Sequence, residues 1–313
     1  MSNGGPVSDY DAHLASLLEG AIDLHVHGYP DVGLAWPARM QDIDVVALAS
    51  DVGMRGYVIK SHLWPTMDRA FHLNQRFDDE NFTVFGSITL NPIVGGLSAM
   101  AVEAAAAQGA SVVFFPTWGS RNDDDHGTGV VRSAAIDTLL PNFGDRLNGT
   151  SIRVLDEGGK LVQEAHEVLE AIASEGLALC TAHLSVEESL ALLKEAQAKG
   201  IERMVFSHPL STSIGGSLEA MKLAVRYGAF VEFTQAVAIL PNARVTVAQI
   251  HDFISTLGPE HCVLTTDVFF AWQPPLPESL RAYLGQLSGL GMSDDHLRTM
   301  VRDNPSRFLG LGS

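Results

Sequence analysis

The sequence is poor in cysteine, in basic residues and in long apolar runs. Only two cysteines, Cys180 and Cys262, occur in 313 residues, too few for a disulfide framework. Both lie inside apolar runs, which reads as buried free thiols. Twenty Lys and Arg stand against 37 Asp and Glu, a net charge of −17, and the basic residues are scattered. Nucleic-acid backbones and anionic membranes need basic patches, so neither is an expected partner. No uninterrupted apolar run reaches about 18 residues, which argues against a spanning helix. The opening Met-Ser-Asn-Gly-Gly-Pro has no basic region leading into an apolar run, so the expected location is the cytoplasm. Missing too is a GxGxxG or Walker turn after the first apolar run, which disfavours a nucleotide-binding open sheet.

What is present is a chain that is 46% hydrophobic, with 29 Gly, enough to bury a sizeable core. Short apolar runs predict eight strands: Ala21–His27, Gly56–Lys60, Phe82–Thr89, Ala110–Pro116, Leu177–His183, Arg203–His208, Ala229–Thr234 and His261–Asp267. Helical periodicity fills most of the intervals. It is clearest over Ser185 to Ala198, where Ser185 and Glu188 make a capping-box pattern and Gly200 follows the end. Lys160 to Ser174 and Ser217 to Arg226 are similar. Strands that are apolar without alternation suit a parallel sheet covered on both faces. Eight strand–helix units predict a (β/α)8 TIM barrel, with an open doubly wound sheet as the competitor. The expected organisation is one domain over 1–313 with a leading helix in 1–20. An insertion over 119–160 lies between the fourth and fifth strands. Within it Arg121-Asn-Asp-Asp-Asp-His-Gly reads as a loop, and Ile152-Arg-Val-Leu with Glu157-Gly-Gly-Lys-Leu-Val as a short hairpin. Following a barrel strand, this insertion should project over the catalytic face as a lid or a subunit contact.

Ionisable groups stop several of the apolar runs. His25 and His27 end the first, two residues apart, so on a regular strand they point the same way. His183 ends the fifth, His208 the sixth and Asp267 the eighth. In a barrel these ends converge on one rim, although any single histidine there could instead be bonded to backbone. Four imidazoles and a carboxylate suit Zn²⁺ first, with Mn²⁺ or Fe²⁺ as alternatives, as one ion or two.

On these residues the chain resembles the amidohydrolase superfamily, whose barrels carry HxH on strand 1, His on strands 5 and 6, and Asp on strand 8. The ending Asn304-Pro-Ser-Arg-Phe-Leu-Gly-Leu is similar to the helix that often closes such proteins. The resemblance implies that His25, His27, His183, His208 and Asp267 hold or adjoin the metal, with Asp267 also the proton shuttle. Two-metal members usually carry a carboxylated Lys or a Glu on strand 4. Here Val113-Phe-Phe-Pro-Thr-Trp118 offers neither, and a lysine, Lys60, ends the second strand instead. It could be carboxylated and bridge two metals, remain a cation for a substrate carboxylate or oxyanion, or snorkel or pair with Glu232. His62, Trp64, Trp118 and Glu232 are further substrate-contact candidates, Glu232 also as a structural partner. Tyr29, Trp36, Phe269 and Trp272 lie after strand ends, where they either pack loops or line an aromatic-accepting pocket. His13, His72, His166, His251 and His296 fall on helical segments, away from the chemistry.

The expected activity is metal-dependent hydrolysis of an amide, cyclic amide, lactone or ester carbonyl in a small molecule, with Asp267 as base and Lys60 or His208 steadying the oxyanion. Rival readings are a non-oxidative decarboxylase of an aromatic acid, a phosphoester hydrolase and a non-catalytic metal-binding protein. A homo-oligomer is compatible with the barrel but not required by it.

Overall fold

The computed structural model describes residues 6–34, 39–126, 150–241 and 243–312. Eight strands follow in chain order: β1 (Ile22–His27), β2 (Gly56–Lys60), β3 (Thr83–Thr89), β4 (Ala110–Phe114), β5 (Ala178–Cys180), β6 (Met204–Phe206), β7 (Phe230–Thr234) and β8 (Cys262–Thr265). Each pairs in parallel with the next, so spatial order equals sequence order. The ring closes by a parallel bridge between Val26 and Val268, where His27 N donates to Val268 O and Asp267 N to His25 O, both at 3.1 Å. The expected (β/α)8 barrel is therefore formed. One principal helix follows each strand: Asp42–Asp51, Met67–Phe77, Ala99–Ala107, Gln163–Glu175, Val186–Ala198, Leu218–Arg226, Val247–Leu257 and Leu276–Gly289.

Strand side chains divide into two apolar layers. Val58, Phe85, Val112, Phe114, Ala178, Cys180, Val205, Phe230 and Val263 fill the inside of the barrel. Ile59, Val84, Val113, Leu179, Met204, Val231 and Leu264 pack outward against the helices. Both cysteines are buried and free, as their apolar surroundings suggest.

β1 breaks the alternation where it matters. Ile22 and Leu24 belong to the inner layer, yet Val26 belongs to the outer one. The cause is a bulge: Asp23 pairs with Tyr57 and Val26 with Ile59, three residues of β1 against two of β2. Regular alternation from Ile22 would aim His25 and His27 at the helices. The extra residue turns both inward.

Four strands stop short of the lengths their apolar runs predict. β4 ends at Phe114 rather than Pro116, and β5 ends at Cys180, β6 at Phe206 and β8 at Thr265, rather than at His183, His208 and Asp267. Side chains take over from the ladder in the last three. The Thr181 hydroxyl accepts from Ser207 N at 3.1 Å, and the Ser207 hydroxyl accepts from Ala182 N at 3.0 Å. Asp23 accepts from both the backbone N and the hydroxyl of Thr266, at 2.9 and 2.6 Å. Beyond these clasps the backbone enters the left-handed region at Ala182 (φ 53°), His208 (φ 23°) and Asp267 (φ 52°), a strained choice for residues with a Cβ.

The leading helix spans Pro6–Ser16, and His13, His72, His166, His251 and His296 all lie on helices as expected. The helix after β5 carries the foreseen capping box, with Ser185 Oγ accepting from Glu188 N and Glu188 Oε2 from Ser185 N, a device that contributes about 1 kcal/mol. The closing helix Asn304–Leu309 seals the opposite, N-terminal mouth. Phe308 and Leu309 enter the inner core, and Asn304 Nδ2 donates to Pro259 O and Cys262 O.

Of the insertion 119–160, residues 127–149 lie outside the described residues, as does Trp36. The run expected as a loop is instead a short helix, Arg121–His126. Ser120 starts it by accepting from Asp123 N at 3.0 Å, and Asp123 and Asp124 complement the helix N-terminus. The expected hairpin is reduced to one antiparallel bridge, Leu155–Leu161, around a turn at Asp156.

Packing of the helix Met67–Phe77 onto β3 depends on Gly86, whose added Cβ would lie 2.8 Å from Met67 Cα. Backbone cannot yield as a flexible side chain can. Gly86→Ala is expected to destabilise the fold by about 1–3 kcal/mol, read as a lower urea midpoint at unchanged slope. An unchanged midpoint would show that the helix can step back freely.

Candidate metal centre

The C-terminal rim gathers the ionisable groups that ended the apolar runs. His25 Nε2 and His27 Nε2 each stand 3.2 Å from Asp267 Oδ1. The His208 ring lies 5.5 Å from that of His25 and 5.1 Å from that of His183, centroid to centroid. Lys60 reaches in from β2 with Nζ 2.9 Å from His25 Nε2 and 5.0 Å above the Phe114 ring.

A carboxylate backs each of three histidines. His25 Nδ1 donates to Glu232 Oε1 at 2.9 Å, His27 Nδ1 to Asp31 Oδ2 at 2.6 Å and His183 Nδ1 to Asp123 Oδ1 at 3.1 Å. An ionised carboxylate only accepts, so each of these imidazoles carries a proton on Nδ1, which leaves Nε2 as the nitrogen free to meet an ion. This carboxylate–histidine pattern is what orients imidazole for a metal ion.

The carboxylates are themselves tied down. Glu232 Oε1 also accepts from Thr265 Oγ1 at 2.9 Å, and Oε2 accepts from His208 N at 3.0 Å. Burial would raise this carboxyl, but the neighbouring His25 and His208 outweigh it and hold it near 2. Asp31 Oδ1 accepts from Ser61 Oγ and His62 N, at 2.7 and 2.6 Å. Asp267 follows the same balance: burial raises its carboxyl, and His25, His27 and Lys60 push it well below the usual range.

The remaining groups divide. His208 Nδ1 is buried without a hydrogen-bond partner, and burial with the nearby His183 lowers its imidazole to about 3. Lys60 is fully buried, which overturns snorkelling, and its nearest polar atom is on His25 rather than on Glu232. Burial lowers its ammonium, against the pull of Asp267 and Glu232. Glu232 has both oxygens engaged, one of them with His25. His62 is buried beside the centre, stacked on Trp118 at 3.9 Å, with Phe269 5.6 Å away. Trp64 and Trp272 are exposed on rim loops, and Tyr29 donates to Leu34 O.

Asp31 and Asp123 escape a reading based on strand ends. Both come from loops or the insertion, and in a chain with 37 acidic residues neither stands out. The only signal at Asp31 is its place four residues after His27.

The donor set fits a divalent ion. His25 Nε2, His27 Nε2 and Asp267 Oδ1 are three acceptors turned toward one another, and His208 adds an imidazole nitrogen with no partner.

Fold and rim together define a (β/α)8 barrel with carboxylate-backed histidines at its C-terminal mouth. Residues 20–232 match the model of a family described as a family of unknown function, DUF6282, and the chain belongs to it. Among curated proteins none matches the sequence. Solved structures similar to it include an amidohydrolase from Pseudomonas aeruginosa, at 12% identity over 95% of this chain and 97% of that one, with a TM-score of 0.64. A phosphotriesterase homology protein from Escherichia coli, complexed with phosphate in its active site, is 16% identical over 93% and 99%, with a TM-score of 0.58. A TatD homolog from Escherichia coli K12 is 15% identical over 94% and 100%, with a TM-score of 0.57. At such identities the likeness is one of fold.

Proposed function

We propose that the protein is a metal-dependent hydrolase that opens an amide, cyclic amide, lactone or ester carbonyl of a small molecule. One observation carries the reading: the convergence of two imidazole Nε2 atoms and a carboxylate oxygen at 3.2 Å, an arrangement that a divalent cation would bind. The solved hydrolases of the same fold support it. His25, His27 and Asp267 would hold the ion, with His183 and His208 completing the set. Zn²⁺ is the leading candidate, ahead of Mn²⁺ and Fe²⁺, since imidazole and carboxylate donors suit all three. When bound, the ion supplies a lowered water pKa and a polarised carbonyl.

The side chains do the rest. Asp267, with 24% of its side chain exposed, takes a proton from the attacking water and returns it to the leaving group. Trp118 and Phe269 give the substrate an apolar wall. Trp64 would meet its outer part.

A Lys60 ammonium 2.9 Å from His25 Nε2 would repel any divalent ion that His25 holds. Carboxylation of the ammonium by carbon dioxide would form an N–C bond, release two protons and turn the group into an anion, which would join the donor set. The metal-loaded protein is expected to weigh one carbon dioxide more than the sum of chain and metal in native mass spectrometry, and Lys60→Met to lose metal. Unchanged metal content, with weaker binding of anionic substrates alone, would make Lys60 a substrate-binding cation instead.

Elemental analysis of the purified protein is the direct test of the reading. Dialysis against a chelator should abolish turnover across a panel of esters, lactones and N-acyl amides, and Zn²⁺, Mn²⁺ or Fe²⁺ should restore it. Absence of stoichiometric metal, or carbon dioxide rather than acid as product, would overturn it.

A further inference from the structure

His62 is held differently from the other histidines of the rim, and its partners determine which of its nitrogens carries a proton. The chain of hydrogen bonds starts from backbone. Asn91 Oδ1 accepts from Thr117 N at 2.9 Å and from Gly119 N at 3.0 Å. Two backbone donors on one atom identify it as the oxygen, which fixes the amide orientation. Asn91 Nδ2 must then be the donor to His62 O at 2.8 Å and to Thr117 Oγ1 at 2.7 Å, using both of its protons.

Thr117 is fully buried and its hydroxyl has one other neighbour, His62 Nδ1 at 3.0 Å. With Asn91 donating to it, the hydroxyl has its own proton left to place. Nδ1 is the acceptor within reach. Were Nδ1 protonated instead, two donors would face each other and a buried hydroxyl proton would have no acceptor, a costly arrangement. An imidazole that accepts at Nδ1 carries its one proton at Nε2.

His25, His27 and His183 have the reverse pattern, with Nδ1 donating to a carboxylate. The rim thus holds three imidazoles that offer lone pairs and one that offers an N–H. The His62 ring lies 4.5 Å from His27 and 6.2 Å from His183, between the metal-site histidines and the Trp118 face. Nε2 has no hydrogen-bond partner among the described residues.

We propose that His62 is a catalytic hydrogen-bond donor, presenting Nε2–H to the substrate oxygen that gains negative charge, and that Asn91 and Thr117 are positioning residues that set this tautomer. The donor role rests on the carbonyl-hydrolysis reading; the tautomer does not. A donor aimed at charge that develops during reaction acts on kcat rather than on ground-state binding.

The test uses the full chain labelled with ¹⁵N-histidine and loaded with Zn²⁺. A two-bond ¹H–¹⁵N spectrum, with His62 assigned from the signals lost in His62→Gln, should show the Nε2–H pattern. Thr117→Val should shift it toward Nδ1–H, and Thr117→Ser should restore it. An Nδ1–H or doubly protonated ring in the parent protein overturns the inference. In kinetics with 4-nitrophenyl acetate, His62→Gln, whose amide nitrogen falls near Nε2, should stay within about 10-fold. His62→Asn, whose nitrogen falls near Nδ1, should lose about 10²–10³ in kcat with little change in KM. Equal losses in the two variants overturn the donor role. If the parent protein turns over no carbonyl probe, the hydrolysis reading falls, and with it the donor role. The spectrum then supports or overturns the tautomer assignment by itself.

Discussion

Asp267→Asn is expected to lower kcat for carbonyl hydrolysis by about 10²–10⁴-fold, the range typical of losing a positioned acid–base group. The substitution keeps the shape of the side chain and removes its charge. Asp267 Oδ1 faces two lone pairs, His25 Nε2 and His27 Nε2. An amide there offers the ion a weaker oxygen donor and the water no base. Metal affinity should fall as well, so the activity is measured at saturating Zn²⁺ and the affinity separately by chelator competition. Full activity in the metal-saturated variant would show that the proton goes elsewhere.

Glu232→Gln is the second large expected effect. The two carboxylate oxygens accept three hydrogen bonds, from His25 Nδ1, Thr265 Oγ1 and His208 N. A glutamine must turn its NH₂ toward at least one of those donors, with no water to mediate, since Glu232 is 3% exposed. Loss of a buried acceptor for a charged or polar partner costs about 1–3 kcal/mol, more where charge is involved. The variant should bind metal about 10–100-fold more weakly, as is usual when the partner of a metal-binding histidine is removed, and should melt at a lower temperature. Calorimetry in the presence and absence of Zn²⁺ separates the two contributions. Unchanged metal affinity would mean that His25 keeps its tautomer without help.

Much of the barrel is legible in the sequence because a parallel strand covered on both faces must be apolar throughout. Val58–Lys60 can be read as the end of a strand that stops at charge for that reason, and Phe230–Thr234 as a strand carrying a single acid, Glu232. The clustering of His183, His208 and Asp267 follows from strand direction alone, yet their backbone geometry does not. All three lie past the regular ends of their strands, because hydroxyls of Thr181 and Ser207 and the carboxylate of Asp23 take up strand donors just before them. Such substitutions leave no periodic trace. The partners Asp31, Asp123, Asn91 and Thr117 are less legible still. Each acts through a contact with an element far away in sequence, and polar residues in loops are too common to mark such contacts. Lys60 is the intermediate case. Its place at the end of an apolar run indicates a buried charge, but only the full burial of Nζ against His25 excludes an escape to solvent.

The bulge in β1 has a bearing on how this site can change over evolution. Because one extra residue between Asp23 and Val26 turns His25 and His27 inward, the histidine pair depends on segment length as much as on residue identity. Losing a single codon in that stretch would rotate both ligands toward the helical layer while leaving the HxH motif intact to the eye. Drift by point substitution is gradual there; drift by length is all or none. A motif search in homologous chains should therefore count residues from Ile22, not merely find the two histidines.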